Sequence, residues 1–527
     1  MSESEAQLKT QVVDIYRNIG SGQLEKAGHA CEQLVQTEPD FGPGWLAFSE
    51  LWLACGEIEK AGACASQATQ IEPDSIPFNL QFAKCHLLYG DDLSALIIAK
   101  KALGLKPETS SDLDTLGNIL ARCGQHAVAL QLFERAVKLS PGNTNALFNL
   151  ANSFVIFGEA EQAELIFDDI IQNNPRDAGA YYQRSLLKQQ TRDKNHIDQI
   201  HNALQMNAST NSKVILGFAH AKELADIEDH EASFSALKMA ADLKYQHINY
   251  TPETDIKAID KMIGATNSLN SNSDVVDSTV KPIFIVGLPR TGTSLVEKIL
   301  AAHDDVVPGG ELRDFEFILK KMLPQNSKAN LVEQIADYAS DFDYESIAEE
   351  YIDRVKYRTS AEYAFTDKMP INALYAGLIH KALPSAKIII IQRNPMDSCY
   401  SMYKHLFAGR RFPFSYNLNA LAEYFIVFQK LMNHWISTIP SSDLLSFSYE
   451  ELINDPQSSI QSLLSFCNLS WQDQCLEFYK QKSPVATPSA MQVNQPLYKD
   501  SINRWKYYRD QLTDLEQALV SKDVAIS

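Results

Sequence analysis

Features that would place this chain in several large classes of protein are missing. Its 527 residues contain no run of about 18 apolar residues, so we expect no membrane-spanning helix. The first residues, MSESEAQLKTQ, are polar and acidic and lack the apolar segment of a signal peptide. These two absences predict a cytoplasmic protein.

Paired cysteines and excess positive charge are also missing. None of the eight cysteines forms a C-x-x-C pair, and no Cys/His spacing suits zinc, so we expect buried free thiols in a reducing compartment. The net charge is -19, and an acidic surface argues against general binding to nucleic acid or to anionic membranes. A phosphorylated ligand would therefore need a local basic site.

What the sequence does contain, first, is a repeat. Glycine, alanine and proline each recur five times with a period of 34 residues. The glycines are Gly22, Gly56, Gly90, Gly124 and Gly158, the alanines Ala27, Ala61, Ala95, Ala129 and Ala163, and the prolines Pro39, Pro73, Pro107, Pro141 and Pro175. Glycine suits a left-handed turn between two helices, alanine suits their close approach, and proline ends the second helix.

This pattern resembles the tetratricopeptide repeat, which implies an all-α superhelix with a concave binding face. We expect this domain over residues 6–246, with five clear copies to residue 176 and two degenerate copies that lose the turn glycine. The concave face implies recruitment of a peptide or protein, and the alternative is a scaffold or dimerisation module, which leaves a homodimer open. Residues 247–280, rich in Asn, Ser and Asp from Thr266 onwards, are predicted to be a linker.

The remaining residues, 281–527, twice show a buried strand, a turn with an arginine, and a helix. The first strand is predicted at Pro282–Val286 and the second at Ala386–Ile391. Apolar strands that alternate with helices indicate an α/β domain with a parallel sheet. Such sheets bind ligands at the carboxyl ends of their strands, so both turns should face one crevice.

The first turn, Gly287–Ser294, has the glycines of a phosphate-binding loop at a helix N-terminus. Thr293 stands where a Walker A loop carries its lysine, which disfavours a magnesium-dependent ATPase or kinase. The loop is therefore predicted to bind a phosphate without being an ordinary nucleotide triphosphatase.

KPIFIVGLPRTGTSLVEKIL is similar to the 5′-phosphosulfate loop of sulfotransferases, and IIIIQRNPMDSCYSMY resembles their 3′-phosphate segment. The resemblance extends over Lys281–Arg509, and Gly310–Arg313 makes it most similar to tyrosylprotein sulfotransferases. It implies a P-loop-like α/β sulfotransferase domain. It also implies 3′-phosphoadenosine-5′-phosphosulfate (PAPS) as donor, with no metal.

The resemblance also implies a role for each matching residue. Donor binding falls to Arg290, Thr291, Gly292, Thr293, Ser294, Arg393, Ser401, Tyr449 and Arg504. Catalysis falls to Glu311 as base, to Lys368 and Arg290 as cations, and to Ser489 as a contact of the donor or transition state, while Arg313 would bind the acceptor. These types suit the chemistry, because a hydroxyl must lose its proton while negative charge grows on a phosphate leaving group.

The acceptor is the least defined part of this prediction. Resemblance implies a hydroxyl of protein tyrosine, and a carbohydrate or small-molecule hydroxyl is the alternative. Asp314 and Glu316 follow Arg313 where the family has further basic residues, which puts an acidic acceptor peptide in doubt. A repeat scaffold with an inactive nucleotide-binding domain is a further alternative, against which the retained Glu311 and Lys368 argue.

Overall fold

The computed structural model describes residues 3–267, 280–324, 330–481, 484–487, 490–497 and 501–526. The chain divides into two compact units, Met1–Ser153 and Phe154–Ser527. Within the described ranges, no helix combines the length and the apolar character that crossing a membrane requires.

Fifteen helices lie before the first strand in the described chain. The first ten, which end at residue 173, are paired as the 34-residue period predicts. Their bounds are α1 Glu3–Gly20, α2 Leu24–Thr37, α3 Gly42–Ala54, α4 Ile58–Ile71, α5 Ile76–Tyr89, α6 Asp92–Gly104, α7 Ser110–Arg122, α8 His126–Leu139, α9 Thr144–Ile156, α10 Ala160–Asn173, α11 Ala178–Leu186, α12 Ile197–Met206, α13 Thr210–Asp226, α14 His230–Ile248 and α15 Pro252–Asn267. The five periodic glycines have φ between 75° and 102°, which a side chain would disfavour. The five periodic alanines are wholly buried, so the predicted helical repeat is confirmed.

The helices after residue 177 depart from a regular repeat. Helices α11 and α12 are joined without a turn glycine, by a loop in which Thr191 and Lys194 form an isolated bridge. Helices α11 and α14 also pack against the α/β part of the second unit. The Leu406 N–H donates to the Tyr182 hydroxyl (3.2 Å), and the rings of Phe234 and Tyr403 have centroids 6.0 Å apart.

Part of the predicted linker, 247–280, is helical instead. Helix α15 places Lys261 2.6 Å from Asp337 and Asp260 2.8 Å from Lys430, so it packs on the α/β part. Residues 268–279 lie outside the described residues. The other domain boundaries stay a prediction.

The α/β part has, within the described ranges, five parallel strands in the order β2-β3-β1-β4-β5. The strands are β1 Lys281–Gly287, β2 Val306–Pro308, β3 Ala364–Asp367, β4 Lys387–Gln392 and β5 Leu444–Ser448. The helices are α16 Thr293–Leu300, α17 Asp314–Lys321, α18 Leu331–Tyr338, α19 Tyr344–Thr359, α20 Ala376–Ala382, α21 Pro395–Tyr403, α22 Leu418–Thr438, α23 Tyr449–Asn454, α24 Pro456–Phe466, α25 Asp473–Leu476, α26 Ala490–Val493 and α27 Thr513–Val520. Short 3-10 helices lie at Pro370–Tyr375, Pro413–Tyr416, Phe478–Lys480, Arg504–Tyr508 and Asp510–Leu512.

Both faces of this sheet are covered, as the apolar runs predict. Alternate residues of β1 point to opposite faces. Ile283 and Ile285 pack in one cluster with residues of α16 and α24, while the Phe284 ring packs against Phe315 and Tyr351 on the other face. The parallel sheet is therefore confirmed, and the chain reverses its direction of winding at β1. Ligands of such sheets bind at this reversal, beyond the carboxyl ends of the strands.

Candidate active site

The phosphate loop follows β1 and ends where α16 begins at Thr293. Gly292 has a φ of 111°, and a Cβ atom there would lie 2.6 Å from the Tyr449 ring, so only glycine fits. Arg290 has a φ of 68°, a conformation that residues with side chains adopt at a cost. The Thr291 hydroxyl donates to the Leu288 carbonyl (2.7 Å) and tightens the turn. The result is a close-packed loop at the N-terminus of α16, an arrangement that favours an anion.

The second arginine-bearing turn meets the first, as the parallel sheet predicts. The Arg393 guanidinium donates from Nη1 to the Arg290 carbonyl (2.9 Å) and from Nη2 to the Ser501 carbonyl (2.6 Å). It lies over the Tyr449 ring at 4.6 Å from the centroid, and the Tyr449 hydroxyl is 2.8 Å from Ser501 Oγ. Arg393 Nε is buried and has no hydrogen-bond partner in the part of the chain that the structure describes. Its donor capacity is therefore available to a ligand.

The carboxylate nearest in sequence to Arg393 does not neutralise it. Asp397 instead accepts the backbone N–H groups of Asn503 (2.7 Å) and Trp505 (3.4 Å). These contacts hold the C-terminal segment against α21 and place Arg504, which lies between the two donating residues Asn503 and Trp505, at the same end of the sheet. The positive charge of Arg393 thus remains for an anion.

A lysine that the sequence analysis missed, Lys404, lies near the cations Arg290, Arg393 and Arg504. Lys404, which is half-buried, follows α21 one helical turn after the buried Ser401. Burial and the nearby cations Arg504, Arg290 and Arg393 lower the pKa of Lys404 to about 7. A basic residue three positions after Ser401 was the available signal, because such residues share a helix face.

The predicted base and the predicted catalytic lysine form a pair. Lys368 Nζ lies 2.8 Å from Glu311 Oε1, and the lysine side chain is 1% exposed while the glutamate side chain is 35% exposed. A solvated surface lysine is thereby excluded. Glu311 does not cap the next helix either, because Arg313 occupies the N-cap position of α17. The carboxylate faces solvent, and the ammonium faces the interior of the site.

The strand end that carries Lys368 is held by a buried carboxylate. Asp367 accepts hydrogen bonds from the Tyr351 hydroxyl (2.7 Å), the Asn372 amide (3.2 Å) and the Met369 N–H (3.2 Å). Burial raises the pKa of Asp367 to about 8. The Lys368 N–H donates to the Gly310 carbonyl (2.8 Å), so lysine and base share a backbone contact.

A second carboxylate that the sequence analysis missed joins these segments. Glu297 Oε1 accepts the Gly310 N–H (3.0 Å) and the Thr366 hydroxyl (3.1 Å). Burial raises the pKa of Glu297, although the nearby Lys368 acts in the opposite direction. The signal in the sequence was an acidic residue one turn into the largely apolar helix segment LVEKIL.

The C-terminal segment contacts three side chains of the phosphate loop and of helix α16, which follows it. The pairs are Ser294 Oγ to Thr487 Oγ1 (3.1 Å), Arg290 Nη2 to Gln492 Oε1 (3.2 Å), and Lys298 Nζ to Asn494 Oδ1. Ser489, predicted to contact the donor, lies outside the described residues. Thr487 and Gln492, which the structure describes, contact Ser294 and Arg290 of the phosphate loop.

The acids that cast doubt on an acidic acceptor do not have free carboxylates. Asp314 is fully buried and pairs with Arg354 (2.9 Å) and with Arg358. Glu316 accepts the Tyr375 hydroxyl (3.0 Å), and burial raises the pKa of Glu316 and so favours its uncharged form, although Tyr375 and Arg313 act in the opposite direction. The two acids therefore no longer argue against an acidic acceptor. Asp314 is neutralised by arginines inside the domain, and Glu316 is hydrogen-bonded to Tyr375.

Fold and site together define a class. A phosphate loop and a second arginine-bearing turn meet at the carboxyl end of a parallel sheet, and a carboxylate–lysine pair follows the neighbouring strand β3. This arrangement fits a transferase that binds a donor with two anionic groups and removes a proton from an acceptor.

The comparisons agree with this class. Residues 282–473 match the model of the sulfotransferase family, and residues 120–188 match that of the tetratricopeptide repeat. The chain thus combines a tetratricopeptide repeat region with a sulfotransferase domain.

Individual relatives share parts of the chain. An uncharacterized protein of Aquifex aeolicus (strain VF5) is 32% identical over 326 residues, which cover 58% of this chain and 41% of that protein. Protein-tyrosine sulfotransferase 1 of Danio rerio is 28% identical over 235 residues, which cover 42% of this chain and 65% of that protein. The chain therefore spans less than two thirds of either relative. The solved sulfotransferase domain of the Synechococcus PCC 7002 olefin synthase aligns with a TM-score of 0.33 at 16% identity, over 45% of this chain and 91% of that one.

Proposed function

We propose that the protein transfers a sulfuryl group from PAPS to an acceptor hydroxyl, and that this hydroxyl belongs to a protein tyrosine. The observation that carries the proposal is the meeting of the two arginine-bearing turns, where the Arg393 guanidinium reaches the Arg290 carbonyl at 2.9 Å. A donor with anionic groups on the 3′ and 5′ positions of one ribose needs two such anion sites close together.

The residues present fit this donor. Residues 290–294 would hold the 5′-phosphosulfate at the N-terminus of α16. Arg393, whose buried Nε lacks a partner among the described residues, would hold the 3′-phosphate with Ser401 and Lys404. When bound, PAPS supplies an activated sulfuryl group whose leaving group is a phosphate. Arg504 and Tyr449 border this position.

The chain's own groups then divide the work of transfer. Glu311, which is exposed, accepts the proton of the acceptor hydroxyl. Lys368, which is buried and paired with Glu311, offsets the negative charge that develops on the leaving group. Glu311 follows β2 and Lys368 follows β3, and β3 lies next to β1, the strand that carries the phosphate loop.

The tyrosine acceptor is supported by the named relatives. It is also supported by the partners of the two nearby acids, since Asp314 pairs with Arg354 and Glu316 accepts the Tyr375 hydroxyl. The repeat region would recruit the acceptor or a partner protein. Labelled PAPS offered with panels of tyrosine peptides, sugars and small phenols tests this. We expect label on tyrosine peptides, and label on a sugar alone would overturn the tyrosine assignment.

Arg393→Met should weaken binding of 3′,5′-adenosine bisphosphate by about 10–100-fold, because it removes a charge-assisted contact to the 3′-phosphate. Isothermal titration calorimetry measures this without an acceptor. Arg135→Met is the matched control, since Arg135 on α8 also donates to a backbone carbonyl, that of Pro107 (3.2 Å). No binding by the wild-type protein would remove the donor assignment, and equal binding by Arg393→Met would remove this residue from it.

Binding should also depend on pH through Lys404, whose pKa is lowered to about 7. A bound phosphate keeps the ammonium charged, so above pH 7 binding must take up a proton. Affinity for 3′,5′-adenosine bisphosphate should fall by up to about tenfold per pH unit between pH 7.5 and 9. The ligand's own phosphate ionisation, with a pKa of about 6, is complete in that range. Calorimetry should show a flatter profile for Lys404→Met, and identical slopes for the two proteins would contradict the prediction.

A further inference from the structure

We infer that Glu297 is a positioning residue of the transfer site, which sets the loop of Glu311 and the strand end of Lys368 relative to the phosphate loop. The inference rests on the proposed function for its kinetic consequence, but its structural consequence can be measured separately.

One oxygen atom connects three segments of the chain. Glu297 Oε1 accepts the N–H of Gly310, at 3.0 Å, and the hydroxyl of Thr366, at 3.1 Å. Gly310 immediately precedes Glu311, and Thr366 lies two residues before Lys368. Glu297 itself lies one turn into α16, the helix that starts at the phosphate loop. The carboxylate therefore joins the donor side of the site to both groups that would act on the acceptor and leaving group.

The loop that carries Glu311 is packed closely against Thr366 at Gly309. The Gly309 N–H donates to the Thr366 carbonyl (3.0 Å), and a Cβ atom on Gly309 would lie 2.4 Å from that oxygen. Gly310 then takes a φ of 69°, which turns its N–H toward Glu297. Without the carboxylate this half-buried N–H would lose its partner, and leaving a donor unsatisfied where water reaches it poorly is costly. The loop would shift to restore a hydrogen bond and would carry Glu311 with it.

A positioning role makes a specific demand on the side chain. Glutamine offers an amide oxygen that can accept the same two hydrogen bonds, whereas methionine has a similar length and accepts neither well. A role that depends on negative charge, through the nearby Lys368, would instead be lost in both. The pair Glu297→Gln and Glu297→Met therefore separates position from charge.

The test compares these two variants with the wild-type full-length protein by three measurements. Hydrogen exchange of a peptide that covers residues 309–312 should become at least about tenfold faster in Glu297→Met and stay near wild type in Glu297→Gln. Binding of 3′,5′-adenosine bisphosphate should change less than about threefold in either. The kcat of sulfuryl transfer should fall about 10–100-fold in Glu297→Met alone, since a misplacement of about 1 Å can cost 10²-fold.

The outcomes are distinct. Wild-type protein without transfer activity refutes the proposed function, while the exchange result still tests the contact to Gly310. Active wild type with normal exchange and kcat in Glu297→Met overturns the inference, and equal loss in Glu297→Gln overturns the positional role in favour of charge. If Glu297→Met does not fold, Thr366→Val removes one of the two hydrogen bonds and should lower kcat, with rescue by Thr366→Ser. Full activity of a folded Thr366→Val would also overturn the inference.

Discussion

Replacing Glu311 with glutamine should lower kcat of sulfuryl transfer by about 10²–10⁴-fold, the usual contribution of a general base. Glutamine keeps the length of the side chain and a hydrogen-bond acceptor for Lys368, which lies 2.8 Å from Oε1, but it cannot take a proton. Affinity for 3′,5′-adenosine bisphosphate should remain within about threefold of wild type, because the predicted donor contacts come from other residues. Steady-state kinetics with labelled PAPS and calorimetry with the bisphosphate measure the two quantities.

Glu316→Gln is the matched control for this result. It makes the same chemical change five residues along the chain, where the carboxylate accepts the Tyr375 hydroxyl (3.0 Å) and an amide oxygen can replace it. We expect nearly wild-type kcat. Full activity of Glu311→Gln would remove the base assignment, and equal losses in both variants would point to disturbance of the loop and not to a missing proton acceptor.

The sequence predicted well those features that depend on neighbours along the chain. The apolar run Pro282–Val286 lies in β1, and Ala386–Ile391 overlaps β4, because β-branched residues buried on both faces leave few alternatives to a central parallel strand. The meeting of Arg290 with Arg393 followed from topology, since parallel strands bring their carboxyl ends to one edge. The turn glycines were predictable because their left-handed conformation is a local requirement.

The sequence could not predict features created by segments that are far apart in the chain. Glu297 acquires its role from Gly310 and Thr366, which are 13 and 69 residues away. Helices α11–α14 resembled degenerate repeats, yet the Tyr182 hydroxyl bonds a backbone N–H 224 residues away. Their missing turn glycine shows that the 34-residue period had ended, but not which surface the helices cover. The predicted linker, 247–280, includes helix α15 because a polar segment follows that helix.

Lys368→Met should reduce kcat by about 10²–10³-fold, comparable with the loss of one preorganised donor to a developing anion. Methionine fills the volume of a side chain that is 1% exposed, so the change removes charge without opening a cavity. Lys387→Met is the matched control, because Lys387 begins β4 at the opposite, amino end of the sheet, where its ammonium lies 3.4 Å from Asp443. Retention of kcat by Lys368→Met, within about threefold, would contradict the assignment.

Loss of activity in Lys368→Met has two explanations, because the same ammonium also holds Glu311. If Lys368 only orients the base, the double variant with Glu311→Gln should be no slower than Glu311→Gln alone, since groups that act as one unit are not additive. If Lys368 stabilises the leaving group independently, the two losses should multiply. We expect multiplication, because Glu311 is anchored through its backbone as well: the Gly310 carbonyl accepts the Lys368 N–H at 2.8 Å, and this bond survives the change of side chain. Kinetics of the two single variants and the double variant measure the coupling, and a double variant as active as Glu311→Gln would assign Lys368 to orientation alone.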